Sequence, residues 1–309
     1  MRHILGLFTG LVLAAGLLAG CGKGVSPTGP GGPAGTSNDQ TQVASQIAGN
    51  PQYVEDGLFE GEDPTPASTA PAIQPEGALA DIQPINFWRH ITDVRRTFEY
   101  AFGDTDSTGR PTRAVVTVNR VLTGTFNIQA PSPADSVFGR HVIRKPLKDF
   151  WTRRITLRRV SVPESEEPQW RIVGLSGVRV VSRNAETKIT SLRVQAADLD
   201  TTIADPLAFT HLRRVLRFAP DEDVTLTVTT LRDDDVVVLQ RRDRRFRFRN
   251  NGDNTHTGVF RAAFLEGVHH VGVNALSHGT LYDDGSPYDS QAWLFPCVAH
   301  PIPIAFREP

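Results

Sequence analysis

The polar side chains best suited to chemistry gather toward the C-terminus. Asp253, His256, His269, His270 and His278 precede Asp283, Asp284 and Asp289, which stand in the loop Asp-Asp-Gly-Ser-Pro-Tyr-Asp. Loop carboxylates suit Ca²⁺, which takes about six to eight oxygens, and imidazoles suit Zn²⁺. Asp253, His256, Asp283, Asp284 and Asp289 are therefore the candidate metal ligands, with Ca²⁺ the candidate ion and no cofactor the competing expectation. Alternation narrows the set. His269 and His270 are adjacent in a run that reads as a strand, so their side chains point to opposite faces. Asp and Gly are also ordinary turn residues, and turn chemistry accounts for the same loops without an ion.

A second pattern lies just upstream. Arg245, Arg247 and Arg249 alternate with Phe246 and Phe248, which gives one apolar face and one guanidinium row. Such a row suits an anionic glycan, a lipid headgroup or a phosphate. The acidic run Asp233-Asp234-Asp235 offers cross-strand charge pairing as the simpler use. A third set, His90, Asp93 and Tyr100, has the groups for an acid, a base and a hydrogen-bond donor, on a segment whose apolar residues must pack. No nucleophile elbow, phosphate loop, dinucleotide fingerprint or zinc-type Cys/His spacing occurs. The expected role is binding or structural rather than catalytic, with a small-ligand-binding or enzymatic first domain and a Ca²⁺-stiffened adhesion module as the alternatives. With 33 Lys and Arg against 34 Asp and Glu, nothing global points to nucleic acid.

The two cysteines divide sharply. Cys297 stands in the apolar run Ala292-Trp293-Leu294-Phe295-Pro296-Cys297-Val298-Ala299 and reads as a small buried apolar side chain. Cys21 follows a different signal. Arg2 and His3 give a positive start, and Ile4 to Leu18 is apolar or small throughout. That run is short for a membrane-spanning helix, which needs about 20 residues, but suits the apolar region of an export signal. It ends in Leu18-Ala19-Gly20-Cys21, which resembles the lipobox of bacterial lipoproteins. The resemblance implies cleavage before Cys21, a diacylglyceryl thioether on its sulfur and an acylated, typically palmitoylated, amino terminus. The first partner it implies is therefore a membrane, and the place a bacterial cell envelope. The family's retention rule looks for Asp after the Cys; Gly22 stands there, which favours the outer membrane over the inner. An envelope protein or glycan is the further partner expected. With Cys21 lipidated, Cys297 has no intrachain partner and the fold must stand without disulfides.

These residues need a scaffold. After a signal peptide at 1–20, the stretch 21–80 is rich in Gly, Pro and Ser and reads as a flexible tether. Within it, Asp39 to Ala48 fits a turn or two of helix, and Tyr53, Leu58 and Phe59 are able to pack on a body. Phe87, Ile91, Val94, Phe98 and Phe102 recur at spacings of four, three, four and four. This predicts an amphipathic helix from Ile85 to Phe102, with Gly103 as its stop. Strands follow: Ala114 to Ile128 with a bend or bulge at Gly124, Phe150 to Val162, Trp170 to Ser182 and Lys188 to Ala196. A helix against long bent strands gives an α+β curved-sheet domain over 81–203, loosely similar to NTF2-like and cystatin-like folds. Asp205-Pro206 reads as the start of a short helix, Leu207 to Leu216.

Over 204–309 the rhythm changes to short strands: Val224 to Thr230, Val236 to Gln240, Arg245 to Arg249, Val259 to Leu265, Val268 to Leu276 and Ala292 to Ala299. Asn251-Gly252 marks a turn. Strands at this spacing predict a β-sandwich. Val271, Val273, Ala275, Leu276 and Gly279 resemble the closing strands of immunoglobulin-like domains of bacterial surface proteins. The expected class is thus mainly β or α+β: one helix on a curved antiparallel sheet, then an Ig-like sandwich, behind a disordered tether.

Overall fold

A computed structural model describes residues 37–54, 64–67, 82–131, 139–161, 167–241, 245–262 and 268–298. The signal peptide, Cys21, and the greater part of the tether, Leu58 and Phe59 included, lie outside the described residues. The chain is mostly β. Three helices occur among the described residues: α1 (Ser37–Ala48), α2 (Pro51–Val54) and α3 (His278–Tyr282). None is long and apolar enough to cross a membrane.

The first strands are long: β1 (Thr65–Pro66) is followed by β2 (Asn86–Thr105), β3 (Pro111–Pro131), β4 (Arg140–Val160) and β5 (Gln169–Ser182). Shorter ones come next: β6 (Ile189–Ala196), β7 (Leu199–Ile203), β8 (Phe209–His211), β9 (Leu216–Arg217), β10 (Asp223–Thr230) and β11 (Val236–Gln240). The last are β12 (Arg245–Arg247), β13 (Arg249–Asn250), β14 (Thr255–Arg261), β15 (Val268–Leu276) and β16 (Ser290–Val298).

They form two sheets. The larger has 11 strands along the path β1-β2-β3-β4-β5-β16-β15-β11-β12, with β8 on β5 and β9 on β16. It curves until β1 lies against β12, so it nearly closes on itself. The smaller has five strands in the order β13-β14-β10-β6-β7. One core lies between the sheets, where Leu192, Val194, Val224, Val228 and Phe260 meet Val237, Val273, Ala275, Trp293 and Phe295. A second fills the inside of the curved sheet with Val116, Val118, Trp151, Ile155, Val180 and Leu294. All nine positions of β16 are buried because one face meets each core. That is why its sequence is a continuous apolar run and not an alternation.

The predicted helix at 85–102 is strand β2, and a bulge explains the misleading period. Ile91 pairs with Gly124 and Asp93 with Thr123, leaving Thr92 as an extra residue. Before the bulge the inward positions are 87, 89 and 91; after it they are 94, 96, 98, 100 and 102, opposite the buried side of β3. Steps of four keep a strand on one face, and the bulge absorbs the single step of three. The β-branched and aromatic content of Phe87, Trp88, Ile91, Thr92, Val94, Phe98 and Tyr100 favours the strand. Gly124 is needed opposite the bulge, where a Cβ would fall 1.9 Å from the His90 carbonyl oxygen. Gly124→Ala is expected to lose roughly 1–3 kcal/mol of stability in urea unfolding. Gly103→Ala, with nothing within 4 Å of its Cβ position, should stay within about 0.5 kcal/mol.

The predicted tether contains structure. In α1, Val43 and Ile47 are buried in the inner core, and Asp39 forms an ion pair with Arg159 while accepting from Trp170 Nε1 at 3.3 Å. The Tyr53 carbonyl accepts from Arg153 Nη1 at 2.9 Å. The described part of the body therefore includes α1, inside the predicted tether. Nor does it divide at 203/204: β5 pairs with β16 in one sheet and β6 with β10 in the other. The predicted helix at 207–216 is β8, a single 3₁₀ turn at Leu212–Arg214 and β9. There the Asp205 carboxylate caps Leu207 N at 2.9 Å, and His211 Nδ1 accepts from Arg213 N at 3.2 Å.

Candidate functional site

The predicted ligands stand on strand β14 and on loops, and all but Asp284 have local hydrogen-bond partners. Asp253 Oδ1 accepts from the backbone N–H and hydroxyl of Thr255. His256 is buried on β14, with Nε2 3.2 Å from Thr230 Oγ1. Burial pushes its pKa down to about 4, assisted by the Arg247 charge, so the ring is neutral at physiological pH. Asp283 accepts from Gly285 N at 2.9 Å and from the Ser286 hydroxyl, and Asp284 is exposed. Lys145 reaches across from β4 and donates to the carbonyls of Gly279 at 3.0 Å and Asp283 at 2.5 Å. Burial lowers its pKa against the pull of Asp283 and Asp284.

Asp289 completes the set. Its Oδ1 accepts from Ser182 Oγ at 2.6 Å, and its Oδ2 from Thr187 N at 2.8 Å and Thr187 Oγ1 at 2.7 Å. These bonds fasten the connection by which the chain leaves the larger sheet at β5 for the smaller at β6. Among the described residues no three His, Cys, Asp or Glu side chains converge as a metal site requires.

The arginine row at 245–249 is split. The chain crosses from the larger sheet to the smaller at Phe248, whose ring is buried in the intersheet core and stacks on Phe246 at 5.8 Å. Arg247 Nη1 donates to Tyr282 OH at 2.8 Å, and Arg249 Nε to Asn251 Oδ1 at 3.4 Å. Arg245 borders a cavity of about 20 Å³ at the seam of the curved sheet, with Arg89, Phe126, Gln240 and Asn274. That space suits a single water molecule. His90, Asp93 and Tyr100 do not assemble: the bulged register puts His90 and Asp93 on the outer face and Tyr100 on the inner one. Asp93 pairs with Arg95 at 3.0 Å on the surface. Cys297 is buried, and burial pushes its thiol up to about 12, which fits a packing role.

Two groupings were not legible beforehand because strand register alone assembles them. Inside the curved sheet, Asp149 from β4 lies 3.5 Å from Arg89 Nη1 of β2. Tyr288 OH donates to Asp149 Oδ2 at 3.1 Å, accepts from Arg89 Nη2 at 2.7 Å and lies 2.6 Å from Ser290 Oγ. Burial raises the Asp149 pKa while Arg89 opposes it, and burial raises that of Tyr288. On the outer face, Arg113 pairs with Arg158, and Arg158 with Arg171. Three arginines thus stand side by side across β3, β4 and β5.

Comparison with protein-family models, with curated proteins and with solved structures finds no match.

Proposed function

We propose that this chain is a lipid-anchored protein of the bacterial cell envelope, more readily of the outer than the inner membrane, with a binding or structural role. The observation that carries this is Leu18-Ala19-Gly20-Cys21 closing an apolar leader. Support for a non-catalytic role comes from the interior. The polar groups of Arg89, Asp149 and Tyr288 are engaged with one another, Asp289 is engaged by Ser182 and Thr187, and the seam cavity is water-sized. Recognition then falls to the outer surfaces, toward an envelope protein or a glycan. The two-sheet packing around Trp293 and Phe260 supports an Ig-like arrangement of the C-terminal part, with β6 and β7 completing the smaller sheet.

The test is expression in a bacterium followed by fractionation and mass spectrometry of the N-terminal peptide. The expected result is a chain that begins at Cys21, carries the added mass of a diacylglyceryl group and sediments with membranes, whereas Cys21→Ala stays unprocessed. A chain cut elsewhere and released in soluble form, with Cys21→Ala behaving identically, would overturn the reading.

A further inference from the structure

Like charges directly opposite on neighbouring strands are destabilising, yet Arg113, Arg158 and Arg171 occupy one cross-strand row on the outer face of β3, β4 and β5. Arg158 and Arg171 are exposed and Arg113 is half-buried. Among the described residues none of the three is paired with a carboxylate; Arg171 donates to Gln169 Oε1 at 3.1 Å. Exposed Arg154 lies four residues along β4 on the same flank. From the other side β8 pairs with β5 at Gly174 to Ser176 and leads into exposed Arg213 and Arg214. The nearby Asp106 carboxylate is taken up by its own turn, by Thr108 N at 2.8 Å and Arg110 N at 3.0 Å. Exposed Asp104 and Glu167 also lie at this end, so among the described residues arginines here outnumber carboxylates, in a chain of formal net charge -1.

α1 is held at the same end. Asp39 of α1 is held by Arg159 and Trp170, which pair with each other next to the Arg158–Arg171 pair. Sixteen residues lead from Cys21 to Ser37, a span of at most ~55 Å, while the 21 residues of β4 extend ~70 Å. A lipid on Cys21 therefore keeps the start of α1 within ~55 Å of a bilayer. We propose that the Arg113–Arg158–Arg171 row, flanked by Arg154, Arg213 and Arg214, binds the anionic phospholipid headgroups of the membrane that takes the Cys21 lipid. The proposal rests on the lipid-anchor reading for its choice of anion. The guanidinium row supplies forked donors for phosphate oxygens, and each arginine near an anionic surface adds about 1 kcal/mol of attraction.

The experiment uses the chain from residue 21 onward with Cys21→Ser, so that no acyl group contributes. Every described contact is retained, since the described residues begin at Ser37. Co-sedimentation is measured with vesicles of phosphatidylglycerol and of phosphatidylcholine, at low and at 0.5 M salt. The expected result is binding to phosphatidylglycerol alone, abolished by salt screening. The triple variant Arg113→Gln/Arg158→Gln/Arg171→Gln should bind roughly a hundredfold more weakly, and Arg158→Gln alone about fivefold. Arg193→Gln, on β6 of the other sheet, should bind as the parent does. Melting curves confirm that each variant is folded, and the single variant decides if the triple one is not. Equal binding by Arg158→Gln and the parent, equal binding to both lipids, or capture by an anionic polysaccharide with no vesicle binding would each overturn the proposal. Because acylation is absent from this assay, failure of the anchor reading appears separately, as an unmodified Cys21 in cells.

Discussion

Asp149→Ala is expected to lower the stability of the folded chain by about 3–5 kcal/mol, the cost of leaving a buried charge without its partner. Asp149 and Arg89 are 1% and 5% exposed, so water cannot replace the lost carboxylate. The same substitution takes the acceptor of the Tyr288 hydroxyl, a ring stacked on Phe126 at 5.0 Å. The damage therefore spreads from β4 to β2 and to the entry of β16, the three places where the curved sheet must stay in register. In urea unfolding the midpoint should fall with the slope unchanged, because the surface exposed on unfolding is the same. The double variant Arg89→Met/Asp149→Leu separates charge from shape. It removes both desolvation penalties and should recover at least half of the loss, since replacing a buried ion pair by apolar groups is often neutral. A single variant within about 1 kcal/mol of the parent, or a double variant as unstable as the sum of the singles, would show that the pair does not hold the sheet.

How far the sequence led depended on how local the information was. β11 and β15 were placed to the residue, because Val236 to Gln240 and Val268 to Leu276 are bounded by turn formers and rich in β-branched residues. In the N-terminal region periodicity itself misleads: a strand whose inward residues step by four, broken by one bulge at Thr92, repeats like a helix. Flanking content could have corrected this, since Arg95 and Arg96 lie among β-branched and aromatic neighbours. The division at 203/204 assumed that a change of rhythm marks a domain boundary. Here it marks where long hairpins give way to strands that return to complete the first sheet, a nonlocal event with no local signature. Asp289 was picked out as a chemical group, and its surroundings turned it to hydrogen bonding. Arg113, Arg158 and Arg171 were passed over because their meaning comes from pairing across two hairpins, which no spacing along the chain encodes.

Asp235→Asn is expected to stabilise the protein, and only above acidic pH. Asp235 sits at the turn before β11, 1% exposed, and neither carboxylate oxygen makes a formed hydrogen bond. Burial raises its pKa to about 7, the Asp234 and Asp289 charges add to this, and the Arg232 guanidinium and backbone N–H offset it only in part. The folded state thus holds a proton that the unfolded chain releases near the ordinary carboxylate value. For a group shifted in this direction stability is greatest below the unfolded pKa and falls as pH rises through the folded one. Asparagine keeps the neutral form at every pH. The gap between Asp235→Asn and the parent should be near zero at pH 4 and grow to ~2–4 kcal/mol by pH 8. His256, lowered to about 4 by burial, works in the opposite sense: its contribution is lost as pH falls from the ordinary imidazole value toward 4. In the parent the two slopes oppose each other between pH 4 and 6.5, which gives a flat profile. The variant uncovers the histidine, and its stability should climb steadily over that range. Urea unfolding at pH 4, 5.5, 7 and 8 measures both effects. A gap that does not change with pH, or a variant less stable at pH 8, would mean that Asp235 is ionised and partnered in the folded protein.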